Sequence, residues 1–185
     1  MSRHLVYVMG PSGVGKDSVL AWVKAHAPAA AGIRFARRTV TRAADAGGED
    51  HEPLTVEAFE QAVQAHAFAL HWQANGLHYG IRHGQLAPLK QRQWVLVNGS
   101  RGHLPHALAA YPGLTAVHIT ARPETVRQRL LARGRESTEE VEARLRRART
   151  FVAPPGARCI ANDGALADAG RALLRVMQGE QAPSR

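Results

Sequence analysis

The chain lacks several features that often identify a class of protein at once. Cys159 is its only cysteine, so it cannot form an internal disulfide or a zinc site built on several cysteines. No apolar run is as long as a transmembrane helix requires. Apolar residues of the first predicted strand begin already at Leu5, which leaves no room for a signal peptide. We therefore expect a cytoplasmic protein that does not enter a membrane.

Lysine is also scarce, although the net charge is +9. It occurs only at positions 16, 24 and 90, so arginine supplies nearly all of the positive charge. Planar arginine side chains bind the phosphates of small molecules as well as those of nucleic acids. Because the chain has no long basic run and no stacking motif or recognition-helix pattern, we expect a small anionic ligand and no nucleic acid.

Segments typical of strands and of helices alternate along most of the 185 residues, a length that suits one compact domain. Continuous apolar runs predict buried strands, and capped segments predict the helices between them. Together they indicate an α/β fold with a parallel sheet flanked by helices. The predicted strands are 5–9, 94–97, 115–120 and 158–161, and the predicted helices are 18–26, 85–92, 103–111, 123–133, a segment after Ser137, and 165–178.

Residues 34–82 interrupt this alternation and are predicted to form an inserted subdomain. The rest of a single domain over 1–180 is then a core made of 1–33 and 83–180. The elements predicted in the insert are a strand at 35–41, a loop at 43–53, a helix at 56–65, and a hairpin of 68–72 and 77–81 with Asn75-Gly76 as its turn.

A glycine-rich loop follows the first predicted strand and precedes a helix. Gly10, Gly15 and Lys16 match the pattern of glycine, four residues, glycine and lysine. Backbone N–H groups of such a loop surround the phosphates of a nucleotide, the helix behind it adds a positive N-terminal dipole, and the lysine reaches the outer phosphates. The residues predicted to bind ATP are Gly10, Pro11, Ser12, Gly13, Val14, Gly15, Lys16, Asp17 and Ser18.

The position after the lysine departs from this pattern. Ser or Thr normally stands there, and its hydroxyl ligates magnesium. This chain has Asp17 instead, followed by Ser18. Two placements of Mg²⁺ are therefore open: the Asp17 carboxylate serves the ion or its water shell, or the Ser18 hydroxyl does.

Arginine-bearing segments lie away from the loop in sequence, at 34–42, 98–101 and 127–149. Phosphoryl transfer requires positioning and positive charge around the transferring group more than covalent help from the protein. The polar run Asn98-Gly99-Ser100-Arg101 follows a predicted buried strand, at the end where parallel sheets place ligand groups. The sequence therefore indicates an enzyme that transfers a phosphoryl group.

Four motifs occur in the order found in guanylate kinases, and over residues 10–163 the chain resembles that family. They are Gly10 to Lys16, Thr39-Val40-Thr41-Arg42 with Gly48-Glu49, Asn75 to Gly80, and Arg133-Gly134-Arg135. The resemblance implies a P-loop core, an acceptor-binding insert over 34–82 and an arginine lid over 133–150. It also implies two sets of site residues: Lys16, Arg133 and Arg144 at the transferring phosphoryl group, and Arg42 and Tyr79 at the acceptor phosphate.

Several positions depart from the guanylate kinase pattern. His71, just before Trp72, stands where that family has the glutamate that binds guanine. Ile81 and Asn98 replace a hydroxyl residue and an aspartate, and Asp45 or a neighbouring alanine replaces a second phosphate-binding arginine. A pocket that offers no acceptor to the N–H donors of guanine rejects guanine strongly. Phosphorylation of GMP is therefore disfavoured, and a guanylate or other nucleoside-monophosphate kinase is the alternative.

The same departures occur in a sister family, the ribose 1,5-bisphosphate phosphokinases, which this chain resembles more densely. The shared stretches are Gly10 to Ser18, Thr41-Arg42 with Gly48-Glu49, His71 to Gly80, Val95 to Arg101, and Arg133 to Glu136. The resemblance implies that ATP donates its γ-phosphoryl group to the 1-phosphate of ribose 1,5-bisphosphate. The products would be ADP and 5-phosphoribosyl 1-diphosphate (PRPP), in the breakdown of phosphonates, with Mg²⁺ as the cofactor.

A sugar bisphosphate carries two phosphates and no base, which suits the excess of arginine. An attacking phosphate oxygen is already ionised near neutral pH, so we expect no general base. A non-catalytic binding module is disfavoured because the phosphate loop is intact, and the oligomeric state is left open. We assign six residues to the acceptor: Arg38, Arg42 and Tyr79 to one phosphate, and Asn98, Ser100 and Arg101 to ribose hydroxyls or to the second phosphate.

Overall fold

The computed structural model describes residues 2–43, 49–132, 134, 137–149 and 151–178. The strands are β1 Leu5–Met9, β2 Ile33–Phe35, β3 Arg38–Val40, β4 His51–Pro53, β5 Phe68–Ala74, β6 Leu77–Arg82, β7 Trp94–Asn98, β8 Thr115–Thr120 and β9 Arg158–Ala161. The α-helices are α1 Lys16–His26, α2 Val56–Gln64, α3 Leu104–Ala110, α4 Pro123–Ala132, α5 Thr138–Arg149 and α6 Leu166–Met177. Short 3-10 helices cover Ser2–His4, Ala29–Ala31 and His83–Gln91.

The strands form two sheets. The larger has the order β2-β7-β1-β8-β9 and the smaller the order β4-β3-β6-β5. In the larger sheet β2 pairs with β7 and β8 pairs with β9, both in parallel. The predicted α/β class, with a parallel sheet flanked by helices, is confirmed. The division into one core and one insert stays a prediction.

The chain divides into two compact units. The first comprises Met1–Tyr7 and Pro28–Leu114, and it contains the smaller sheet. Phe59 of α2 is buried, and its ring stacks on that of Phe68 at a centroid distance of 4.7 Å. Gly80 lies against the same ring, since a Cβ placed there would be 2.5 Å from Phe68 Cδ1. These contacts fix how α2 packs on the hairpin.

The second unit comprises Val8–Ala27 and Thr115–Arg185. Helices α1 and α6 pack closely, because a Cβ at Gly170 would lie 1.9 Å from the Trp22 ring. Helices α4 and α5 share a small apolar core of Val126, Leu130, Val141 and Leu145. The glycine loop and its helix belong to this unit.

Three predictions of local structure are wrong. The single strand at 35–41 is two strands in different sheets, because the chain leaves the larger sheet after the Ala36 N–H donates to the Leu96 carbonyl at 2.9 Å. The loop at 43–53 contains β4, which pairs in parallel with β3. The helix at 85–92 is a 3-10 helix over His83–Gln91, with Pro88 inside it; proline lacks the N–H that an α-helical turn needs.

The hairpin prediction is confirmed. Strands β5 and β6 pair in antiparallel fashion, with Trp72 opposite Tyr79. Their turn residues Asn75 and Gly76 have φ values of 50° and 75°, as a type I′ turn requires. Within the described part of the chain, no helix combines the length and the apolar character needed to cross a membrane.

Candidate active site

The predicted phosphate loop joins β1 to α1. Gly13 and Gly15 have φ values of 86° and 85°, a left-handed conformation that glycine adopts at no steric cost. Gly15 is the N-cap residue of α1, and because it has no side chain it does not itself cap the first amides of this helix. N–H groups at a helix N-terminus fit the phosphates of a nucleotide.

One carbonyl holds this loop in shape. The Val14 side chain is fully buried, and the Val14 carbonyl accepts hydrogen bonds from Asn162 Nδ2 at 2.8 Å and from Arg129 Nη1 at 3.2 Å. The Asn162 N–H in turn donates to the Thr120 carbonyl at 2.8 Å. The loop is therefore anchored to the ends of two neighbouring strands.

Sequence reasoning missed both anchors. Asn162 was not singled out, and Arg129 was counted only within the arginine-bearing segment 127–149. The available signal was the position of Asn162 directly after the predicted strand 158–161, just as Asn98 directly follows the predicted strand 94–97.

Close packing explains Gly10, the remaining glycine of the loop, and is a second constraint on Gly15. A Cβ at Gly10 would lie 2.7 Å from the Ile119 carbonyl oxygen, and one at Gly15 would lie 2.5 Å from Asn162 Nδ2. Pro11 closes the loop from the other side, since its carbonyl accepts the Val14 N–H at 3.4 Å. Ser12 is exposed beside it.

Lys16 opens α1 and contacts its neighbour. Its Nζ lies 3.2 Å from Asp17 Oδ1, and the two side chains are 14% and 64% exposed. Asp17 and Ser18 both lie on the exposed side of the first helical turn. A carboxylate and a hydroxyl are oxygen ligands of the kind that Mg²⁺ takes, so the residues present fit this ion. The choice between Asp17 and Ser18 stays open.

In the first unit, two of the predicted acceptor residues contact Glu49, which was not predicted as a site residue, and a third contacts one of those two. The Arg38 guanidinium binds Glu49 Oε1, and Asn98 Nδ2 donates to Glu49 Oε2 at 2.6 Å. Arg38 also lies over the Tyr79 ring, with its Cζ 4.8 Å from the ring centroid. We call Arg38, Glu49, Tyr79 and Asn98 the Glu49 cluster.

Arg42 is placed by the buried residue His51. His51 Nε2 lies 3.1 Å from the Arg42 carbonyl oxygen, and His51 Nδ1 lies 3.0 Å from the Glu49 carbonyl oxygen. Among the described residues, Arg42 Nε is buried without a hydrogen-bond partner. A buried, unpaired guanidinium N–H suits an anionic ligand.

Ser100 and Arg101 continue the chain from Asn98. The Ser100 N–H donates to Tyr7 Oη at 2.9 Å, and Tyr7 O–H donates to the Ser100 carbonyl at 3.0 Å. Burial raises the pKa of Tyr7 to about 12, so this phenol stays protonated at neutral pH. Burial also lowers the pKa of Arg101. The phenol thus holds the Ser100 backbone at the end of β7.

The predicted lid is only partly within the described residues. Arg133 lies outside them, and so do Asp45 and Gly48. Arg144 lies in α5, but its side chain is also outside what the structure describes. Their roles stay predictions.

Residues 2–178 match the family model of guanylate kinase. The chain is 49% identical to the ribose 1,5-bisphosphate phosphokinase PhnN of Azotobacter vinelandii, over 96% of this chain and 97% of that protein. It is 47% identical to the protein of the same name from Chromobacterium violaceum, over 95% and 94% of the two chains.

A solved guanylate kinase from Anaplasma phagocytophilum superimposes with a TM-score of 0.69, covering 97% of this chain and 87% of that one, at 16% sequence identity. That likeness shows the fold, and the two relatives show which group within the family this chain resembles in sequence. The chain therefore belongs to the guanylate kinase family and, within it, to the group of the ribose 1,5-bisphosphate phosphokinases.

Proposed function

We propose that this protein transfers the γ-phosphoryl group of ATP to the 1-phosphate of ribose 1,5-bisphosphate, forming PRPP and ADP. The observation that carries the proposal is 47% and 49% identity, over nearly the full length, to two proteins named for this activity. The proposed setting is the breakdown of phosphonates in the cytoplasm.

The donor side of the proposal rests on the loop between β1 and α1. Its N–H groups and the Lys16 ammonium would hold the triphosphate of ATP. Asp17 or Ser18 would hold Mg²⁺, which when bound neutralises charge on the outer phosphates. The loop conformation supports this role, because Asn162 and Arg129 fix the Val14 carbonyl from behind.

The reaction exchanges one phosphorus–oxygen bond for another. An oxygen of the acceptor 1-phosphate attacks the γ-phosphorus, and the bond between that phosphorus and the bridging oxygen of ADP breaks. The attacking oxygen is ionised at neutral pH, so no residue has to remove a proton. The protein's contribution is positive charge and positioning, for which we propose Lys16 and, by family resemblance, Arg133 and Arg144.

On the acceptor side, the proposal favours a sugar phosphate over GMP. His71 lies opposite Gly80 in the hairpin, one register position from the pair Trp72 and Tyr79. Side chains one position apart point to opposite faces of a sheet, so His71 does not share a face with Tyr79. Because residue 71 is a histidine, no carboxylate stands at the position where guanylate kinases have the guanine-binding glutamate. Arg42, whose Nε is buried without a hydrogen-bond partner among the described residues, supports phosphate binding.

The test is ADP release from ATP with three acceptors: ribose 1,5-bisphosphate, GMP and dGMP. We expect turnover with the sugar bisphosphate and a kcat/KM for either nucleotide that is lower by at least about 100-fold, because an unpaired guanine edge is rejected strongly. A reaction without acceptor measures the background hydrolysis of ATP. Comparable turnover with GMP would contradict the proposal and favour the nucleoside-monophosphate kinase.

A further inference from the structure

Glu49 places a carboxylate among the residues predicted to bind the acceptor. Its side chain is 22% exposed, and that of its partner Arg38 is 13% exposed. The partners come from separate elements: Arg38 from β3 and Asn98 from the end of β7. A carboxylate held from two sides and still open to solvent is arranged like a ligand group.

The contacts of Glu49 with other described residues leave its carboxylate able to accept one more hydrogen bond. Arg38 approaches Oε1 through Nε and Nη2, and Asn98 Nδ2 donates to Oε2 at 2.6 Å. An ionised carboxylate offers about four acceptor positions. Among the described residues, the N–H donors of Arg38 and Asn98 therefore leave one acceptor position, on Oε2, for a ligand.

Charge decides which part of a sugar bisphosphate can approach this carboxylate. The positive charge of Arg38 is already opposed by Glu49, and a phosphate beside Glu49 would meet a like charge. A sugar hydroxyl is neutral and donates a hydrogen bond, which a carboxylate accepts well. Arg42 differs from Arg38, because its Nε is buried without a partner among the described residues. The phosphate thus fits Arg42, and the hydroxyl fits Glu49.

We propose that Glu49 accepts a hydrogen bond from a ring hydroxyl of the acceptor's sugar and so selects ribose over deoxyribose acceptors. This inference rests on the proposed function. Arg38 and Asn98 are then positioning residues for the carboxylate, and Arg38 acts on the sugar rather than directly on a phosphate.

The test compares kcat/KM for ribose 1,5-bisphosphate with the values for its 2-deoxy and 3-deoxy analogues. We expect the wild-type protein to discriminate against one of the two analogues by at least about 10-fold, because a site built to bind a hydroxyl loses a partner without it. The Glu49→Ala variant should lose activity on the ribose substrate and bring that ratio close to 1. It should change the activity on the rejected analogue much less.

Asp50→Ala is the matched control. Asp50 is the next residue and also pairs with an arginine, Arg37, at 2.9 Å, but both side chains are largely exposed, at 74% and 49%. We expect this variant to keep the wild-type preference for ribose. Loss of the preference in Asp50→Ala as well would overturn the specific role of Glu49.

Further outcomes separate the inference from the proposed function. A wild-type protein that uses ribose and both deoxy acceptors equally well overturns the inference even if Glu49→Ala does not fold. A folded Glu49→Ala protein whose ratio of kcat/KM between ribose and deoxy acceptors is unchanged overturns the inference too. So does a folded variant with increased kcat/KM for ribose 1,5-bisphosphate, because Glu49 would then obstruct the site. Failure of the wild-type protein to phosphorylate ribose 1,5-bisphosphate overturns the proposed function itself.

Discussion

The phosphate loop and the Glu49 cluster differ in which part of the chain determines their structure. The loop takes its shape from the backbone: Gly13 and Gly15 in left-handed conformations, and one carbonyl, that of Val14, held by two donors. The Glu49 cluster takes its shape from side chains, chiefly the contacts of Glu49 with Arg38 and Asn98. A site formed by the backbone tolerates few substitutions of its small residues. The specificity of a site formed by side chains can instead be changed by single substitutions.

The largest effect is expected at Lys16, the positively charged side chain of the loop. Lys16→Ala should reduce kcat by at least about 1,000-fold, because it removes positive charge from the transferring phosphoryl group. The fold should persist, since the Asp17 carboxylate that Lys16 contacts is largely exposed. ADP release and a thermal unfolding curve measure the two effects.

Lys24→Ala is the control, because Lys24 lies exposed near the end of the same helix. It should keep both activity and stability. Activity near the wild-type level in a folded Lys16→Ala protein would contradict a role of the loop in the reaction.

A smaller effect is expected from the backbone of the loop. Gly15→Ala forces a side chain into a left-handed residue, at a cost of about 1–2 kcal/mol, and pushes its Cβ towards Asn162 Nδ2. We expect a reduction of kcat/KM for ATP of about 10-fold to 100-fold, as for a small misplacement of a binding group, and a lower Tm.

Gly84→Ala is matched to this change. A Cβ at Gly84 would meet no atom within 4 Å, and its φ lies outside the left-handed range. Equal values of kcat/KM for ATP and of Tm in the Gly15 and Gly84 variants would show that ATP binding by the loop does not depend on its backbone conformation.

The smallest effect is expected from a histidine in the first unit. His103 lines a cavity of about 740 Å³, and its ring stacks on Trp72 at 5.3 Å and on His106 at 5.4 Å. Burial, followed by the charges of His106 and His71, lowers the pKa of His103 to about 4 from 6.5. The folded protein therefore binds this proton less readily than the unfolded chain does.

Stability should fall as the pH falls from 6.5 towards 4, because the unfolded chain takes up the proton first. His103→Phe keeps an aromatic ring and removes the titration, so its Tm should fall less than that of the wild-type protein between pH 7 and pH 5, by a few degrees. Thermal unfolding at the two pH values measures this difference. An equal fall in Tm of the two proteins between pH 7 and pH 5 would show that His103 does not titrate in this way.

The contrast between loop and cluster also explains what could be predicted from the sequence. The loop, its strand and its helix are contiguous in the chain, so the glycine spacing and the apolar pattern were enough to predict them. The hairpin of β5 and β6 was predicted for the same reason, because Asn75-Gly76 determines its turn locally.

Glu49 was not predicted as a site residue because its partners are distant in the chain. Arg38 and Asn98 precede and follow it by 11 and 49 residues, and no local pattern brings them together. Asn162 was missed because its contact with Val14 spans 148 residues. The strand predicted at 35–41 was wrong because β-propensity does not show that the chain changes sheets after Phe35.

Phosphorus NMR of the wild-type reaction tests the central claim most directly. With ATP, Mg²⁺ and ribose 1,5-bisphosphate, we predict that the signal of the 1-phosphate is replaced by the two coupled signals of a diphosphate, in step with the appearance of ADP. The 5-phosphate signal should remain that of a monoester. A new monoester signal, or ADP formed while the sugar bisphosphate is unchanged, would contradict transfer to the 1-phosphate.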